Sequence, residues 1–161
     1  MDVTAIGPED WERLRDLRLR SVLSEQSLRW AWQRESAFRE NHWRMRLGGA
    51  QWWVVSSEGD DVGLVSMIHE PGAPAHERHL TALWVEPAAR RRGAGRALVD
   101  AAVAVAMADG VVAVTVWAST ADDVLGRFLD DVGFAATGEA VASPRAVGGE
   151  EERWSRVLTE S

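Results

Sequence analysis

The sequence predicts an α/β (α+β) domain in which a mixed central sheet of about seven strands is flanked by about four helices. Two apolar segments near the middle of the chain have the pattern of a β-hairpin. A continuous apolar run at 111–118, rich in β-branched residues, is typical of a strand covered on both faces. With 161 residues the chain has the size of one domain, so we expect a single domain over residues 1–161.

The N-terminal half is predicted to contain one strand, two helices and the hairpin. Proline and two acids open the first helix, where fixed proline geometry and the helix dipole favour them. Apolar residues recur at helical spacing in both helices, and two adjacent glycines end the second one. The predicted elements are a strand at 3–6, helices at 8–22 and 28–47, and hairpin strands at 52–55 and 62–68 around a turn at 58–61.

The C-terminal half is predicted to contain four strands and two helices. A loop rich in proline and glycine at 70–77 precedes the first of these strands. Thr120 to Asp123 approximates a capping box, with Asp in place of Glu or Gln. The predicted elements are strands at 79–85, 111–118, 134–139 and 152–158, helices at 93–108 and from 120 to about 132, and a polar loop before the last strand.

Composition excludes several kinds of site. The chain has no Cys, Tyr or Lys, so disulfides, thiolate ligands, a cysteine nucleophile, a Schiff-base lysine and a tyrosine acid are all excluded. A formal net charge of −7 argues against nucleic acid as the main partner and suits a cationic substrate such as an amine. We find no membrane-span or signal-peptide pattern and no metal-ligand motif, so we expect a cytoplasmic protein with no membrane partner and no metal.

The segment Arg90-Arg91-Arg92-Gly93-Ala94-Gly95-Arg96 follows a strand and opens a helix, as in an anion site. The first N–H groups of a helix lack internal acceptors, the helix dipole adds positive charge, and glycine lets a phosphate approach the backbone. The absence of Lys excludes a P-loop, and Leu98 replaces the third glycine of a dinucleotide fingerprint. Taken alone, the segment is equally compatible with a plain helix start and solvated arginines.

Two motifs in register resemble the GCN5-related N-acetyltransferase (GNAT) superfamily. The acyl-CoA signature of that family, Arg/Gln-x-x-Gly-x-Gly/Ala after a strand ending in Val-x-Pro, reads here Val85-Glu86-Pro87 and then Arg90 to Gly95. Its second signature reads Val114–Ala118, Asp122, Phe128-Leu129 and Gly133-Phe134. The order of elements also agrees, so the resemblance covers nearly the whole chain.

The resemblance implies a GNAT fold in which strands 79–85 and 111–118 splay apart and acetyl-CoA is the co-substrate. The pantetheine arm would pair with backbone of Trp84 and Val85, and an N–H near Leu83–Val85 would polarise the thioester carbonyl. Asp122 would lie near this arm or would serve only as charge at a helix N-terminus. The implied CoA-binding residues are Leu83, Trp84, Val85, Arg90, Arg91, Arg92, Gly93, Ala94, Gly95, Arg96, Asp122 and Leu129.

The resemblance also implies direct attack by a primary amine of a small molecule or peptide in a ternary complex. A base is needed because an alkyl ammonium with a pKa of about 10.4 is almost wholly protonated at neutral pH. Glu70 and His79 are the catalytic candidates, and a water chain would serve equally well. Their neighbours His76, Glu77 and Glu86 are further candidates.

The chain departs from the family at the general acid. Many GNAT enzymes protonate the leaving thiolate with a Tyr, and Leu129 stands at that position here. Losing a general acid typically costs about 10²- to 10⁴-fold in rate, so Ser119 or a water would have to donate instead. The alternative is a degenerate module that binds acyl-CoA without transferring the acyl group.

The acceptor site carries no motif. Trp30 and Trp32, with Glu25 and Glu35, would form an aromatic and acidic wall for a cationic amine, although interhelical packing with a solvated face is the favoured interpretation. Since family members are often dimers, a homodimer is compatible with the resemblance. The sequence does not identify the amine.

Overall fold

A computed structural model describes residues 1–143 and 149–158. Within them, hydrogen bonds join seven strands into a mixed sheet, as predicted, and the strand order is β1-β2-β3-β4-β5-β7-β6. The strands are β1 (Asp2–Ile6), β2 (Gln51–Ser57), β3 (Asp60–Ile68), β4 (Glu77–Val85), β5 (Ala113–Ser119), β6 (Ala135–Ala142) and β7 (Glu150–Val157). The α-helices are α1 (Trp11–Leu23), α2 (Arg29–Glu35), α3 (Glu40–Gly48), α4 (Ala94–Ala108) and α5 (Asp123–Asp131). The chain forms two compact units: unit 1 is Met1–Ile68 with Thr81–Ala102, and unit 2 is His69–Leu80 with the residues from Val103 onward.

The single helix predicted at 28–47 is two helices, because the backbone leaves the helical conformation between α2 and α3. Arg39 is extended, with φ −95° and ψ 174°, and its N–H donates to His42 Nδ1 at 3.2 Å. Phe38 packs edge-on against Trp43, with ring centroids 5.4 Å apart. A side chain that caps the helix start and an apolar contact across the cap together begin a new helix. The prediction of one helix was therefore wrong at residues 36–39.

Unit 1 contains β1, β2, β3 and the C-terminal part of β4. Glu58 and Gly59, with φ of 53° and 85°, form the tight turn between the antiparallel strands β2 and β3, which confirms the predicted hairpin. Helices α1 and α3 cover the apolar face of these strands. The buried core cluster of this unit is Ile6, Leu14, Leu17, Trp43, Leu47, Trp52, Val54, Leu64 and Trp84.

Strands β3 and β4 approach each other closely at Gly63. A Cβ at this residue would lie 2.8 Å from the carbonyl oxygen of Trp84 and 3.0 Å from a methyl carbon of Val55. Both separations are far shorter than van der Waals contact, so only glycine fits. The N–H of Glu86 also donates to the Val62 carbonyl at 2.7 Å, which holds the end of β4 against β3.

Unit 2 contains the N-terminal part of β4, strands β5 to β7 and helix α5. Parallel pairing of β4 with β5 joins residues 77–79 to 113–115, the first three residues of each strand. Strand β7 pairs antiparallel with the whole of β5 and, on its other side, with the edge strand β6. The short parallel pairing agrees with the predicted splay of these two strands.

The limits of elements in unit 2 depend on local hydrogen bonds. Strand β5 begins at 113 rather than 111, because the N–H of Val111 still donates to Ala106 of α4 at 3.0 Å. Helix α5 is capped by Asp122, whose carboxylate accepts the N–H of Leu125 at 3.0 Å, so the capping box predicted at Thr120 was wrong. Residues 144–148 of the loop predicted before the last strand lie outside the described residues.

Replacing Gly63 by alanine is expected to lower the free energy of unfolding by about 1–3 kcal/mol, because the new Cβ forces β4 away from β3. Urea denaturation followed by tryptophan fluorescence measures the change. Gly48→Ala is the matched control, since nothing lies within 4 Å of a Cβ at this helical residue. Equal losses for the two variants would contradict the packing argument.

Candidate functional site

The loop between β4 and α4, in unit 1, places arginines ahead of a helix N-terminus. After β4 the chain makes a short 3₁₀ turn at Pro87–Ala89, and α4 begins at Ala94. The Nε of Arg90 donates to the Val85 carbonyl at 2.8 Å and ties the loop to the end of the strand. The side chains of Arg90, Arg91 and Arg92 are exposed.

Two left-handed residues shape this loop. Arg91 has φ 65° and Gly93 has φ 88°. The Gly93 carbonyl accepts the N–H of Ala97 at 2.9 Å, so the first turn of the 15-residue helix α4 follows directly. No atom of the described residues lies within 4 Å of a Cβ position at Gly93. The first turn of such a helix offers backbone donors and the positive end of the dipole, features that suit an anion such as phosphate, and we call this loop the cradle.

The backbone of Leu83 and Val85 faces the edge of β4 opposite β3. Peptide groups alternate in direction along a strand, and both the Trp84 carbonyl and the Glu86 N–H point toward β3. Of the predicted pair Trp84 and Val85, only Val85 therefore offers its backbone on the opposite edge, together with Leu83. The indole N–H of Trp84 donates to Ser24 Oγ at 2.9 Å inside unit 1.

Ala82 has a left-handed backbone within β4, with φ 58°. A non-glycine residue rarely adopts this conformation, which stores about 1–3 kcal/mol of strain and clusters at functional sites. It directly precedes the peptide groups of Leu83, where the sequence predicts the thioester carbonyl to bind.

Arg153 of β7 connects four other side chains in unit 2. Its guanidinium donates to Glu70 Oε1 and, at 3.1 Å, to Thr115 Oγ1. Its Nε lies 3.2 Å from a carboxylate oxygen of Glu139. The guanidinium also stacks over the ring of Trp117, 4.6 Å from the centroid. We call these five residues the Arg153 cluster.

The predicted catalytic candidates Glu70 and His79 lie next to each other at this cluster. His79 Nε2 is 3.9 Å from Glu70 Oε2, which also accepts the indole N–H of Trp117 at 3.0 Å. Burial alone would raise the pKa of Glu70, but hydrogen bonds from Arg153 and Trp117 lower it overall. Burial lowers the pKa of His79, with the Glu70 charge opposing and the Arg153 charge adding to this effect. At neutral pH the carboxylate is therefore ionised and the imidazole neutral.

An open pocket of about 410 Å³ lies beside the cluster, lined by residues 70–74 with Glu77, Glu139 and Arg153. The lining contains three carboxylates and one guanidinium, so its field favours a cationic group. Of the other predicted bases, Glu77 lines this pocket, His76 is exposed nearby in the chain, and Glu86 lies in unit 1, 3.9 Å from Arg20.

Ser119, Asp122 and Leu129 occupy three different environments in unit 2. Ser119 ends β5, and its Oγ accepts the N–H of Ala121 at 3.3 Å, which leaves the hydroxyl proton to donate elsewhere. Asp122 caps α5, the plainer of its two predicted roles. Leu129 is fully buried in α5.

Sequence reasoning missed Thr115, Trp117, Glu139 and Arg153. The one available signal was that Thr115 and Trp117, two residues apart in the apolar run at 111–118, share a strand face. Arg153 carried no such signal, because it is the cross-strand partner of Trp117 only through the pairing of β5 with β7.

Glu35 does not join an acceptor wall with Trp30 and Trp32. Its carboxylate is 4% exposed and accepts hydrogen bonds from Arg18, at 2.9 Å, and from Arg46. Both tryptophans are partly exposed, at 37% and 36%. The negative charge of Glu35 is thus neutralised inside unit 1 by Arg18 and Arg46, and this residue is not part of a solvated face.

In residues 1–143 and 149–158, no three Cys, His, Asp or Glu side chains form a group that could hold a metal ion. No helix in this part of the chain is long and apolar enough to cross a membrane. The longest helix described, α4, has 15 residues.

A sequence model of the Acetyltransferase (GNAT) family matches residues 11–134. The match begins with α1 and ends at Phe134, so it contains the arginine loop and both predicted motifs. The chain belongs to the GNAT acetyltransferase family. Comparison with curated protein sequences gives no match.

Solved structures of other proteins share the fold of this GNAT acetyltransferase. The acetyltransferase of the GNAT family from Streptococcus pneumoniae has a TM-score of 0.78 at 14% identity, covering 98% of this chain and 100% of that one. A GCN5-related N-acetyltransferase from Kribbella flavida has a TM-score of 0.72 at 20% identity, covering 98% and 97%. A Bacillus anthracis str. Ames protein, described as a streptothricin acetyltransferase in complex with acetyl coenzyme A, has a TM-score of 0.60 at 12% identity, covering 69% and 64%.

Replacing Glu35 by glutamine in this GNAT acetyltransferase is expected to cost about 3–5 kcal/mol of stability at neutral pH, because two guanidinium groups lose their counter-charge. Although burial alone would raise it, hydrogen bonds from Arg18 and Arg46 lower the pKa of Glu35. The stabilisation is therefore present above the unfolded-state pKa of about 4.3 and is lost as pH falls through the folded-state value.

Chemical denaturation of wild-type and Glu35→Gln protein at several pH values measures the difference between their free energies of unfolding. This difference should become smaller as the pH is lowered. A difference for Glu35→Gln that does not vary with pH would contradict the assignment.

Proposed function

We propose that this protein is an N-acetyltransferase that transfers the acetyl group of acetyl-CoA to a primary amine of a small molecule or peptide, with the whole chain acting as one domain. The observation that carries the proposal is the cradle at the start of α4. Gly93 is left-handed, the space around its Cβ position is open, and Arg90, Arg91 and Arg92 supply charge beside the helix N-terminus. Such a cradle fits the pyrophosphate of CoA.

The end of β4 supports the part of the proposal that concerns binding of the acyl thioester. Leu83 and Val85 direct their peptide groups to the edge opposite β3, and the strained Ala82 precedes them. A fixed N–H in this segment would donate to the thioester oxygen as negative charge develops on it. Only the N–H groups can take this role, because the thioester oxygen is an acceptor; the Val85 carbonyl is itself an acceptor and receives a hydrogen bond from Arg90.

The pocket beside Glu70 supports an amine as the acceptor, because its lining carries more negative than positive charge. Glu70 or His79 would take a proton from the amine as its nitrogen attacks the acyl carbon and the C–S bond breaks. Ser119 would donate a hydrogen bond to the departing thiolate, since its Oγ only accepts within the described contacts.

The alternative is an acyl-CoA-binding module without transfer activity. It is favoured by one observation: the position of the family's tyrosine acid holds Leu129, whose side chain is fully buried. Both functions use the cradle to bind acyl-CoA, but only the acetyltransferase transfers the acyl group.

Gly93→Ala is expected to weaken acetyl-CoA binding at least about tenfold, because the added Cβ meets no protein atom but occupies the space offered to phosphate. Isothermal titration calorimetry measures the affinity. Gly59→Ala is the matched control, since Gly59 also has a positive φ and an open Cβ position but lies in the β2–β3 turn. Equal acetyl-CoA affinities for the two variants would show that the cradle is not part of the binding site.

Wild-type protein is expected to release free thiol from acetyl-CoA faster in the presence of a suitable primary amine than through hydrolysis alone. A thiol-reactive dye measures this over a library of small amines and peptide N-termini, with mass spectrometry of the acetylated product. Tight acetyl-CoA binding without amine-dependent thiol release would favour the module.

A further inference from the structure

Three strands of unit 2 bring His79, Thr115 and Arg153 together. His79 on β4 is the parallel cross-strand partner of Thr115 on β5, and β5 pairs antiparallel with β7, which carries Arg153. His79 and Thr115 are 5% and 3% exposed, so their polar atoms depend on protein partners rather than on bulk water.

The hydroxyl of Thr115 has three polar neighbours, and two of them have fixed roles. Arg153 Nη1, at 3.1 Å, can only donate, and the Arg78 carbonyl, at 3.5 Å, can only accept. His79 Nδ1, at 2.7 Å, can do either. A hydroxyl has one proton and two acceptor positions, so all three contacts are satisfied only if the proton goes to Arg78 and His79 Nδ1–H donates to Thr115.

This donor count favours the Nδ1–H tautomer of the imidazole. With the proton on Nδ1, the neutral ring carries its lone pair on Nε2, the nitrogen that lies 3.9 Å from Glu70 Oε2. Nε2 is therefore the basic nitrogen of His79. A proton taken up there would be stabilised by the neighbouring carboxylate.

Glu70 is the weaker proton acceptor of the two catalytic candidates. One of its oxygens accepts from Arg153 and the other from Trp117, at 3.0 Å, so each has a donor already in place. Protonating this carboxylate would break a charge-assisted hydrogen bond. Protonating His79 Nε2 would break no hydrogen bond that is described for that nitrogen.

We propose that Thr115 and Arg153 are positioning residues that hold His79 in the Nδ1–H tautomer, with Nε2 as the proton acceptor for the amine. The inference rests on the proposed acetyl transfer. In that step the amine nitrogen bonds to the acyl carbon, the C–S bond breaks with its electrons leaving on CoA sulfur, and the amine proton moves to Nε2. The proton then passes from the imidazolium to the thiolate or to water, which restores the neutral ring.

The tautomer is measurable without any substrate, by two-bond ¹H–¹⁵N correlation of protein labelled with ¹⁵N-histidine at a pH where His79 is neutral. His79→Gln assigns its signals among the four histidines. We expect Nδ1 to be protonated and Nε2 to have the shift of an unprotonated nitrogen. Thr115→Val should move the ring toward the Nε2–H form, and Thr115→Ser should restore the wild-type spectrum. A protonated Nε2 in the neutral wild-type ring overturns the proposal.

Kinetics separate a positioning role from a merely structural one. His79→Gln should lower kcat by about 10²- to 10⁴-fold and leave the KM for acetyl-CoA unchanged. Arg153→Met removes a positive charge that faces His79 while Glu70 remains, so the acidic limb of the kcat profile should move to higher pH; Glu139, which faces Arg153 from β6, is kept in all variants. Full kcat in His79→Gln overturns the proton-acceptor role.

Failure of the proposed function is visible separately, because it would show as no amine-dependent thiol release by wild-type protein. In that case the spectrum still decides between the two tautomers. An Nδ1–H ring that shifts in Thr115→Val supports the positioning role, and an Nε2–H ring contradicts it.

Discussion

The close approach of β3 and β4 at Gly63 is the constraint on which the proposed donor site in unit 1 depends. The Trp84 carbonyl lies where a side chain would otherwise be, and the hydrogen bond from Glu86 to Val62 closes the same contact. This fixes which peptide groups of β4 face β3 and, by alternation, which face the other edge. The strand then leads directly into the arginine loop, so the direction of β4 sets where the acyl and phosphate ends of a donor would bind.

In unit 2 the main constraint is that titratable groups are partly buried. An ionised carboxylate removed from water needs a partner, and Arg153 supplies it for both Glu70 and Glu139. The same guanidinium occupies one acceptor position of Thr115, which leaves the other for His79. Charge compensation of the two carboxylates and the hydrogen bonding of Thr115, which orients the His79 imidazole, thus depend on the same side chain, Arg153.

The parts of this structure that could be predicted from the sequence are those determined by neighbours in the chain. The hairpin turn at Glu58 and Gly59 and the glycine loop before α4 depend on local backbone preferences, and both were found. The break between α2 and α3 was missed because it depends on Phe38 meeting Trp43, a contact that helical periodicity does not reveal. The Arg153 cluster was missed because strand pairing, rather than spacing along the chain, brings β5 and β7 together. Even so, the sequence predicts Glu70 and His79 as the catalytic candidates, and the structure brings these two residues together.

In the proposed acetyl transfer to an amine, the missing tyrosine matters less than the base, and free energies show why. Removing a proton from an alkyl ammonium with a pKa of about 10.4 at pH 7 costs about 4.6 kcal/mol, since each pKa unit is worth about 1.4 kcal/mol. A thiolate whose conjugate acid has a pKa of about 8.5 is only about 2 kcal/mol less stable than the thiol at that pH. Deprotonating the amine therefore costs more free energy than releasing the thiolate without protonating it. The arrangement of this chain agrees with that ranking: Leu129 uses the acid position for packing, while three strands and a buried hydrogen-bond network are arranged around His79.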